Sequence, residues 1–219
     1  MIVLMSAFLL LSAFSCGGGN KANSTSEQDE KTVVNVPQFD ADSAYLYVKN
    51  QVDFGPRVPN TKEHVACGNY LVGKLEAFGA KVTNQYADLI AYDGTLLKAR
   101  NIIGSYKPES KKRIALFAHW DTRPWADNDA DEKNHHTPIL GANDGASGVG
   151  ALLEIARLVN QQQPELGIDI IFLDAEDYGT PQFYEGKHKE EAWCLGSQYW
   201  SRNPHVQGYN ARFGILLDM

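Results

Sequence analysis

Three short apolar runs, each leading into acidic residues, constrain the fold of this chain more than any other feature. They are KRIALFAHWD at 112–121, GIDIIFLDAED at 167–177 and FGILLDM at 213–219. A strand is apolar without alternation when both of its faces are covered, so we interpret all three as buried strands. Helical patterns lie between them. Together they predict an α/β fold with a mixed, largely parallel central sheet and helices on both faces.

Two helices are predicted ahead of the first run, in segments 39–52 and 61–79. Thr61 can cap the second helix and Gly79 can end it. Apolar residues recur at helical spacing in both segments, which predicts that one side of each helix faces the core. These residues are Tyr45, Val48, Val52, Val65, Leu71, Leu75 and Phe78.

The remaining segments predict a hairpin and two further helices. Two alternating segments within 80–106 are joined at Asp93-Gly94, a strong hairpin turn. Segment 145–163 is helical, and segment 195–204 is a short helix. The residues expected on the apolar side of the longer helix are Val149, Leu152, Leu153, Ala156 and Val159.

The first 16 residues predict an export signal. MIVLMSAFLLLSAFSC is uncharged, and its apolar part is too short to cross a bilayer but suits a signal peptide. Residues 13–16 resemble a bacterial lipobox, which predicts a lipid on Cys16. We therefore expect an exported lipoprotein, anchored to the membrane and periplasmic or associated with the outer membrane. An ordinary cleaved secretory signal is the alternative.

The rest of the chain divides into a tether and a domain. Residues 17–38 are polar and glycine-rich, typical of a flexible tether, and residues 39–219 form the expected catalytic domain. Cys67 and Cys194 remain if Cys16 carries lipid; they form either a disulfide or two free thiols. The net charge of -7 argues against nucleic acid as a partner.

The acidic residues at the ends of the apolar runs predict a metal site. Ligands of open α/β sheets bind beyond the carboxyl ends of the strands. Those ends carry His119 and Asp121, then Asp174, Glu176 and Asp177, and finally Asp218. So much negative charge at one edge destabilises a fold unless a cation is present.

Asp144 joins this set from the glycine-rich stretch GANDGASGVG, which opens the long helix. Alone, Asp144 is readily explained as a helix N-cap, and the pair Glu176-Asp177 as an exposed turn. Taken together, a histidine and several carboxylates suit zinc, which accepts both nitrogen and oxygen ligands. Arg57, in GPRVP, is interpreted as a structural anchor. The acidic repeat at 127–131 lacks the residues of a calcium loop.

The ordered motifs resemble a known family. The segments H-W-D at 119–121, G-A-N-D at 141–144 and D-A-E-D at 174–177 resemble the signatures of the M28 zinc peptidases. FGPRVP at 54–59 and AHWDTRP at 118–124 resemble the glutaminyl cyclase branch, and more narrowly the lipoprotein cyclases of Bacteroidetes-type bacteria. The resemblance spans roughly residues 39–219.

The resemblance implies a role for each matching residue. Asp144 and Asp177 would bind zinc, although many relatives have Glu at position 177. Glu176 would be the general acid and base, and Asp218 would hydrogen-bond near it. The two further implied roles are a substrate-pocket wall for Trp193 and a second-metal or supporting position for His119. The third zinc ligand of the family, a histidine, lies after the Asp218 segment, so we expect a chain that continues past Met219.

Three functions follow from these residues. The first is cyclisation of N-terminal glutamine to pyroglutamate with release of ammonia, using one zinc ion and acting as a monomer on peptide or protein N-termini that bear Gln. The second is a two-zinc aminopeptidase that hydrolyses N-terminal residues. The third is a non-catalytic surface lipoprotein that binds peptides.

Overall fold

The computed structural model describes residues 35–219, of which Pro37–Met219 form one compact unit. The predicted signal peptide and nearly all of the tether lie outside the described residues. The elements in chain order are α1 Ala41–Val52, α2 Lys62–Ala77, β1 Lys81–Ile90, β2 Leu96–Tyr106, β3 Arg113–His119, α3 Ser147–Gln161, β4 Gly167–Leu173, α4 Leu195–Arg202 and β5 Gly214–Leu216. None of the described helices has the length and apolar character needed to cross a membrane.

The strands form one sheet in the order β1-β2-β4-β3-β5. β2 pairs antiparallel with β1 and with β4, whereas β3 pairs parallel with β4 and β5. Four of the five described strands therefore run in the same direction, and β2 opposes them. This confirms the mixed, largely parallel sheet. The carboxyl ends of β3, β4 and β5 consequently lie at one edge.

Helices cover both faces of the sheet, as predicted. The main core joins α1, α2 and α3 to one face, and its β4 contribution is Ile168, Ile170 and Phe172. The intervening Ile171 and Leu173 point to the other face, where Trp200 of α4 packs. This alternation makes β4 buried along its whole length, which explains its continuous apolar sequence.

Local signals in the sequence end and begin the elements as expected. The Thr61 side chain accepts a hydrogen bond from the His64 amide at 3.2 Å and caps α2. Gly79, with φ +77°, follows the helix, and Gly94, with φ +87°, sits in the hairpin turn between β1 and β2. Both backbone conformations favour glycine because at positive φ the Cβ atom of any other residue would approach the adjacent carbonyl oxygen.

The prediction of a core position is wrong for two residues. Tyr45 is 73% exposed and Val65 is 56% exposed. In α1 the inward positions are instead Tyr47 and Gln51, four residues apart. The Gln51 side-chain amide donates to the carbonyls of Tyr47 and Ala146, so a polar residue takes a buried place that hydrophobic spacing alone could not identify.

The prediction that the FGILLDM run is a buried strand is also wrong. β5 spans only three residues, and Ile215 and Leu216 are 47% and 55% exposed. Among the described strands β5 pairs only with β3, at the edge of the sheet, so one side of it has no strand beside it. The other two apolar runs are buried as expected.

The two cysteines in the described part of the chain are free thiols. Cys67 is completely buried in the main core, and burial raises the pKa of its thiol to about 12. Cys194 is half-buried beside the carboxyl edge, where burial likewise raises the thiol pKa, to about 11. Of the two alternatives for this pair, the structure shows free thiols.

An ion pair closes the opposite, amino edge of the sheet. The guanidinium of Arg113 donates to both oxygens of the buried Asp169 carboxylate, at 2.5 and 2.8 Å. The hydroxyls of Ser105 and Tyr209 donate to the same carboxylate, both at 2.7 Å. Asp169 thus ties β2, β3 and the segment before β5 to β4.

Candidate active site

The predicted site residues meet at the carboxyl edge of the sheet. His119, the last residue of β3, lies with Nε2 2.8 Å from Asp144 Oδ1 and 3.6 Å from Asp218 Oδ1. Ligand atoms of His119, Asp144 and Asp177 lie within 4.8 Å of one another, and so do those of His119, Glu176 and Asp218. Asp144 and Asp177 therefore meet beside His119, whereas Glu176 groups with His119 and Asp218.

Asp144 does not cap the helix that follows it. α3 begins after Ala146, and within the described residues no side chain caps its N-terminus. The Asp144 carboxylate is instead directed at His119. Gly145, with φ +96°, makes this possible because a Cβ atom there would lie 2.5 Å from the Asp121 carbonyl oxygen. The glycine therefore lets the Asp144 loop close onto β3.

The buried side chain of Arg57 holds the same loop through hydrogen bonds. Its guanidinium is fully buried and donates to the carbonyl oxygens of Trp120, Leu140 and Gly141 at 3.2, 2.5 and 2.7 Å. The first of these carbonyls belongs to the residue that directly follows β3, and the other two belong to the loop before Asp144. Arg57 thus joins the two segments, and its expected role as an anchor is confirmed.

The acidic pair after β4 is held by its backbone. The buried carboxylate of Asp121 accepts the amide N–H groups of Glu176 and Asp177, at 3.0 and 3.1 Å. Ala175 adopts φ +53°, and the Glu176 carbonyl accepts from the Cys194 amide at 3.0 Å. These bonds fix the direction in which the two acidic side chains leave the strand.

Asp174 supports this turn from the core. Its two carboxylate oxygens each lie 2.9 Å from His64 Nε2, and one accepts the Arg100 amide. Sequence reasoning placed Asp121 and Asp174 at strand ends but gave neither a role, and it missed His64. The H-x-D spacing was the available signal for Asp121, yet spacing cannot show which amides a carboxylate accepts.

The charges of the site strongly perturb its titrating groups. Burial raises the pKa of Glu176 to about 7, and the neighbouring Asp121 carboxylate adds to this. Burial and the charges of Asp121 and Asp144 raise the pKa of Asp177 to about 7 as well. For His119, burial acts downward, but the carboxylates of Asp121 and Asp144 outweigh it and raise the pKa to about 11. Excess negative charge therefore surrounds one histidine.

The atoms of the site that could act as metal ligands fit a zinc ion. Among residues 35–219, His119 Nδ1 and Asp177 Oδ2 are buried atoms without a hydrogen-bond partner. Nδ1 faces Asp121 Oδ1 at 3.6 Å, which is too far for a hydrogen bond, whereas Nε2 is the nitrogen that faces the carboxylates of Asp144 and Asp218. Buried polar atoms are rarely left unpaired, and one imidazole with two carboxylates is a ligand set that zinc accepts.

Trp193 stands next to the acidic pair. Its ring packs against Gly179, where a Cβ atom would overlap the indole, and the Arg123 guanidinium lies 4.7 Å from the ring centroid. Arg123 also donates to the Asp177 carbonyl at 3.1 Å and forms a two-fold pair with Asp127. Sequence reasoning missed Arg123. Because Asp127 is held by this arginine, the structure agrees with the rejection of a calcium loop.

Comparison with known proteins agrees with this geometry. The model of Peptidase family M28 matches residues 101–219. A solved glutaminyl cyclase of Bacteroides thetaiotaomicron, bound to N-acetylhistamine, is 99% identical, with a TM-score of 0.84 over 84% of this chain and 63% of that chain. A structure from the same organism, described as a leucine aminopeptidase precursor, is also 99% identical, with a TM-score of 0.85 over 85% of this chain and 64% of that chain.

A more distant solved structure shares the fold. The glutaminyl cyclase of Tannerella forsythia is 60% identical, with a TM-score of 0.81 over 84% of this chain and 62% of that chain. The chain thus spans slightly less than two thirds of the length of these three proteins. The mixed sheet and its covering helices match theirs. On the family match and these likenesses, the chain belongs to peptidase family M28.

Proposed function

We propose that the protein is a zinc-dependent glutaminyl-peptide cyclotransferase, which converts N-terminal glutamine of peptides to pyroglutamate and releases ammonia. The convergence of His119, Asp144 and Asp177 beside Glu176 carries this proposal, because it combines a metal-ligand set with an acid of raised pKa. The likeness to cyclases of two organisms favours cyclisation over hydrolysis.

Asp144 and Asp177 are the residues that would hold zinc, with His119 supporting them or binding a second ion. When bound, zinc supplies Lewis-acid polarisation of the substrate's side-chain amide oxygen. Three features of the chain favour these ligands: the unpartnered Asp177 oxygen, the loop closed by Gly145 and the Arg57 anchor beneath it.

Glu176 is the proposed proton carrier. The substrate's α-amine nitrogen forms a bond to the side-chain amide carbon, and the bond from that carbon to its NH2 group breaks. The Glu176 carboxylate accepts a proton from the amine and returns it to the leaving ammonia. Asp121 fixes the Glu176 backbone for this task, and a carboxylate oxygen of Asp218 lies within 4.8 Å of one of Glu176. Trp193 provides an apolar wall that keeps water away from the substrate's glutamine side chain while this side chain is bent back toward the α-amine.

Incubation of the full-length protein with a peptide that begins with glutamine tests the reaction. Release of ammonia and a matching loss of peptide mass supports cyclisation. Release of a free amino acid supports the second candidate, an aminopeptidase. The likeness to the structure described as a leucine aminopeptidase precursor favours this candidate. The absence of both products, together with negligible zinc uptake, supports a non-catalytic peptide-binding lipoprotein.

Zinc affinity is expected to fall sharply in Asp144→Asn and in Asp177→Asn, because each change removes an anionic ligand. The loss should exceed the roughly 10- to 100-fold that follows removal of a residue that only supports a ligand. Competition with a chromophoric chelator measures it. Asp129→Asn, in the exposed loop after Arg123, is the matched control and should bind zinc within about twofold of the unchanged protein. Equal affinities in all four proteins would reject this ligand set.

We further propose that the protein is an exported, monomeric lipoprotein anchored through Cys16. The apolar run of residues 1–16 and the glycine-rich segment that follows it support the anchor. Incorporation of labelled fatty acid, compared with Cys16→Ser, tests it. Loss of both label and membrane association in the variant supports the anchor, whereas release of an unlabelled, cleaved protein supports an ordinary secretory signal.

A further inference from the structure

Aromatic side chains cluster at the rim of the candidate site. They belong to the hairpin turn, to the loop after β3 and to the loop after β4, and we call them the rim cluster: Tyr92, Trp125, Tyr178, Phe183 and Tyr184. Centroid distances are 5.8 Å for Tyr92–Trp125, 5.0 Å for Tyr92–Tyr184, 5.1 Å for Trp125–Tyr178 and 6.3 Å for Trp125–Phe183. All are edge-to-face contacts at favourable distances.

The sheet register places the rim cluster at the carboxyl edge. Ile102 of β2 pairs with Phe172 of β4, and the Arg100 amide reaches Asp174, the first residue after β4. The residues of the hairpin that precede Arg100 along β2 therefore extend beyond the end of β4. Tyr92, in the turn of that hairpin, therefore lies beyond the carboxyl edge of the sheet, on the side where the acidic residues lie.

Arg123 connects the rim cluster to the proposed substrate pocket. Its guanidinium carbon lies 4.7 Å from the Trp193 ring centroid and 5.6 Å from that of Trp125. The same guanidinium donates to the Asp177 carbonyl at 3.1 Å. Arg123 therefore contacts both the Trp193 ring and the rim cluster, and links the wall of the proposed pocket to that cluster.

A cavity of about 310 Å³ opens between the outer members of the rim cluster and the turn before Trp193. The residues that line it include Tyr92, Tyr184, Lys187, Lys189 and Ala192. Its volume is at the lower end of the range of small-molecule sites. Ala192 directly precedes Trp193 in the chain, and Tyr92 contacts Trp125, so the cavity is connected to Trp193 from two sides.

Two properties point to an aromatic occupant. Tyrosine walls favour edge-to-face contact with another ring, and lysine ammonium groups are attracted to ring faces. Phe183 and Tyr184 are also 38% and 36% exposed, and a cluster of exposed large apolar side chains typically marks an interaction site. Glu191 also lines the cavity and offsets one of the two lysine charges.

We propose that this cavity binds an aromatic side chain at the second or third residue of the substrate peptide, which gives the enzyme a preference beyond the N-terminal glutamine. An extended peptide advances about 3.3–3.6 Å per residue, so these residues extend roughly 7–10 Å from the reacting one. This proposal rests on the proposed function, because it takes the N-terminal residue to occupy the site beside Glu176.

The test compares Gln-Phe-Ala and Gln-Ala-Phe with Gln-Ala-Ala in the unchanged protein, in Tyr184→Ala and in Tyr184→Phe. We expect the better phenylalanine peptide to exceed Gln-Ala-Ala in kcat/KM by about 3- to 10-fold, mainly through KM. The preference should disappear in Tyr184→Ala and return in Tyr184→Phe. Tyr45→Ala, at an exposed ring on α1, is the matched control and should keep it.

Equal kcat/KM for the three peptides in the unchanged protein, or an unaltered preference in Tyr184→Ala, would overturn the proposal. Calorimetric binding of pyroglutamyl-Phe-Ala and pyroglutamyl-Ala-Ala separates this outcome from failure of the proposed function. If no peptide is cyclised but the phenylalanine product binds more tightly, and does so only while Tyr184 is present, the cavity is an aromatic site and the reaction assignment is wrong. Equal binding of both products overturns the cavity proposal directly.

Discussion

Replacement of Glu176 by glutamine is expected to lower the rate of ammonia release from a glutaminyl peptide by roughly 100- to 10,000-fold. This is the range that a positioned acid and base contributes to proton transfer. Glutamine keeps the shape of the side chain but cannot accept and return a proton at neutral pH. The backbone bonds to Asp121 and Cys194 do not involve the changed group, so the local fold should persist. Steady-state ammonia release measures the effect.

Zinc uptake in Glu176→Gln decides how that loss is interpreted. Affinity within a few-fold of the unchanged protein means that Glu176 carries protons. A large loss of affinity would instead make it a metal ligand, which its grouping with His119 and Asp218 permits. Glu109→Gln, at the opposite end of the sheet, controls for the change of charge. Near-normal turnover in Glu176→Gln would exclude Glu176 as the acid and base.

Replacement of Arg57 by methionine is expected to lower the free energy of unfolding by about 3 kcal/mol. Methionine fills much of the same volume but leaves the carbonyls of Trp120, Leu140 and Gly141 without their donor, at about 1 kcal/mol each. Lysine should not restore them, since one ammonium group cannot reproduce the planar fork of a guanidinium. Urea unfolding monitored by circular dichroism measures the change.

The Arg57 variant should also bind zinc more weakly, because the loop that presents Asp144 loses its anchor. Arg202→Met, at an exposed position on α4, is the control and should shift the unfolding free energy by no more than about 0.5 kcal/mol. A loss below about 1 kcal/mol in Arg57→Met would mean that water replaces the guanidinium at little cost. Unchanged zinc affinity would mean that the loop holds its shape without the arginine.

The order of the elements and the location of the site were predictable from the sequence, because both depend on patterns local to the chain. Continuous apolar runs indicated β3 and β4, and the acidic residues after them indicated the edge at which they meet. The glycines around Asp144 indicated close packing of the backbone. The structure places His119, Asp144 and Asp177 together, although their roles remain predictions.

The failures have one cause, which is that burial depends on neighbours that are remote in the sequence. Tyr45 has the right spacing for a core position, but the carbonyl of Ala146 gives Gln51 a partner and the helix turns that side inward. The apolar sequence of β5 resembles that of β4, yet its position in the sheet leaves it exposed. The support given by Asp121, Asp174 and Arg123 was similarly hidden, because each acts on backbone groups that no motif records.

The ion pair between Arg113 and Asp169 at the amino edge of the sheet affects the stability of the fold in acid. Burial alone would raise the pKa of this carboxyl group, but hydrogen bonds from Arg113, Ser105 and Tyr209 outweigh it and hold the pKa below the usual 3.8. Its stabilising effect is therefore complete only well above the ordinary value of 3.8, and it is lost as the pH falls from there through the lowered pKa. Urea midpoints of the unchanged protein and of Asp169→Asn should accordingly approach each other as the pH falls below 3.8 and meet below the lowered pKa. Acid would then destabilise the fold at the amino edge of the sheet, which lies opposite the candidate active site. Unfolding and loss of activity would therefore depend on the protonation of different groups.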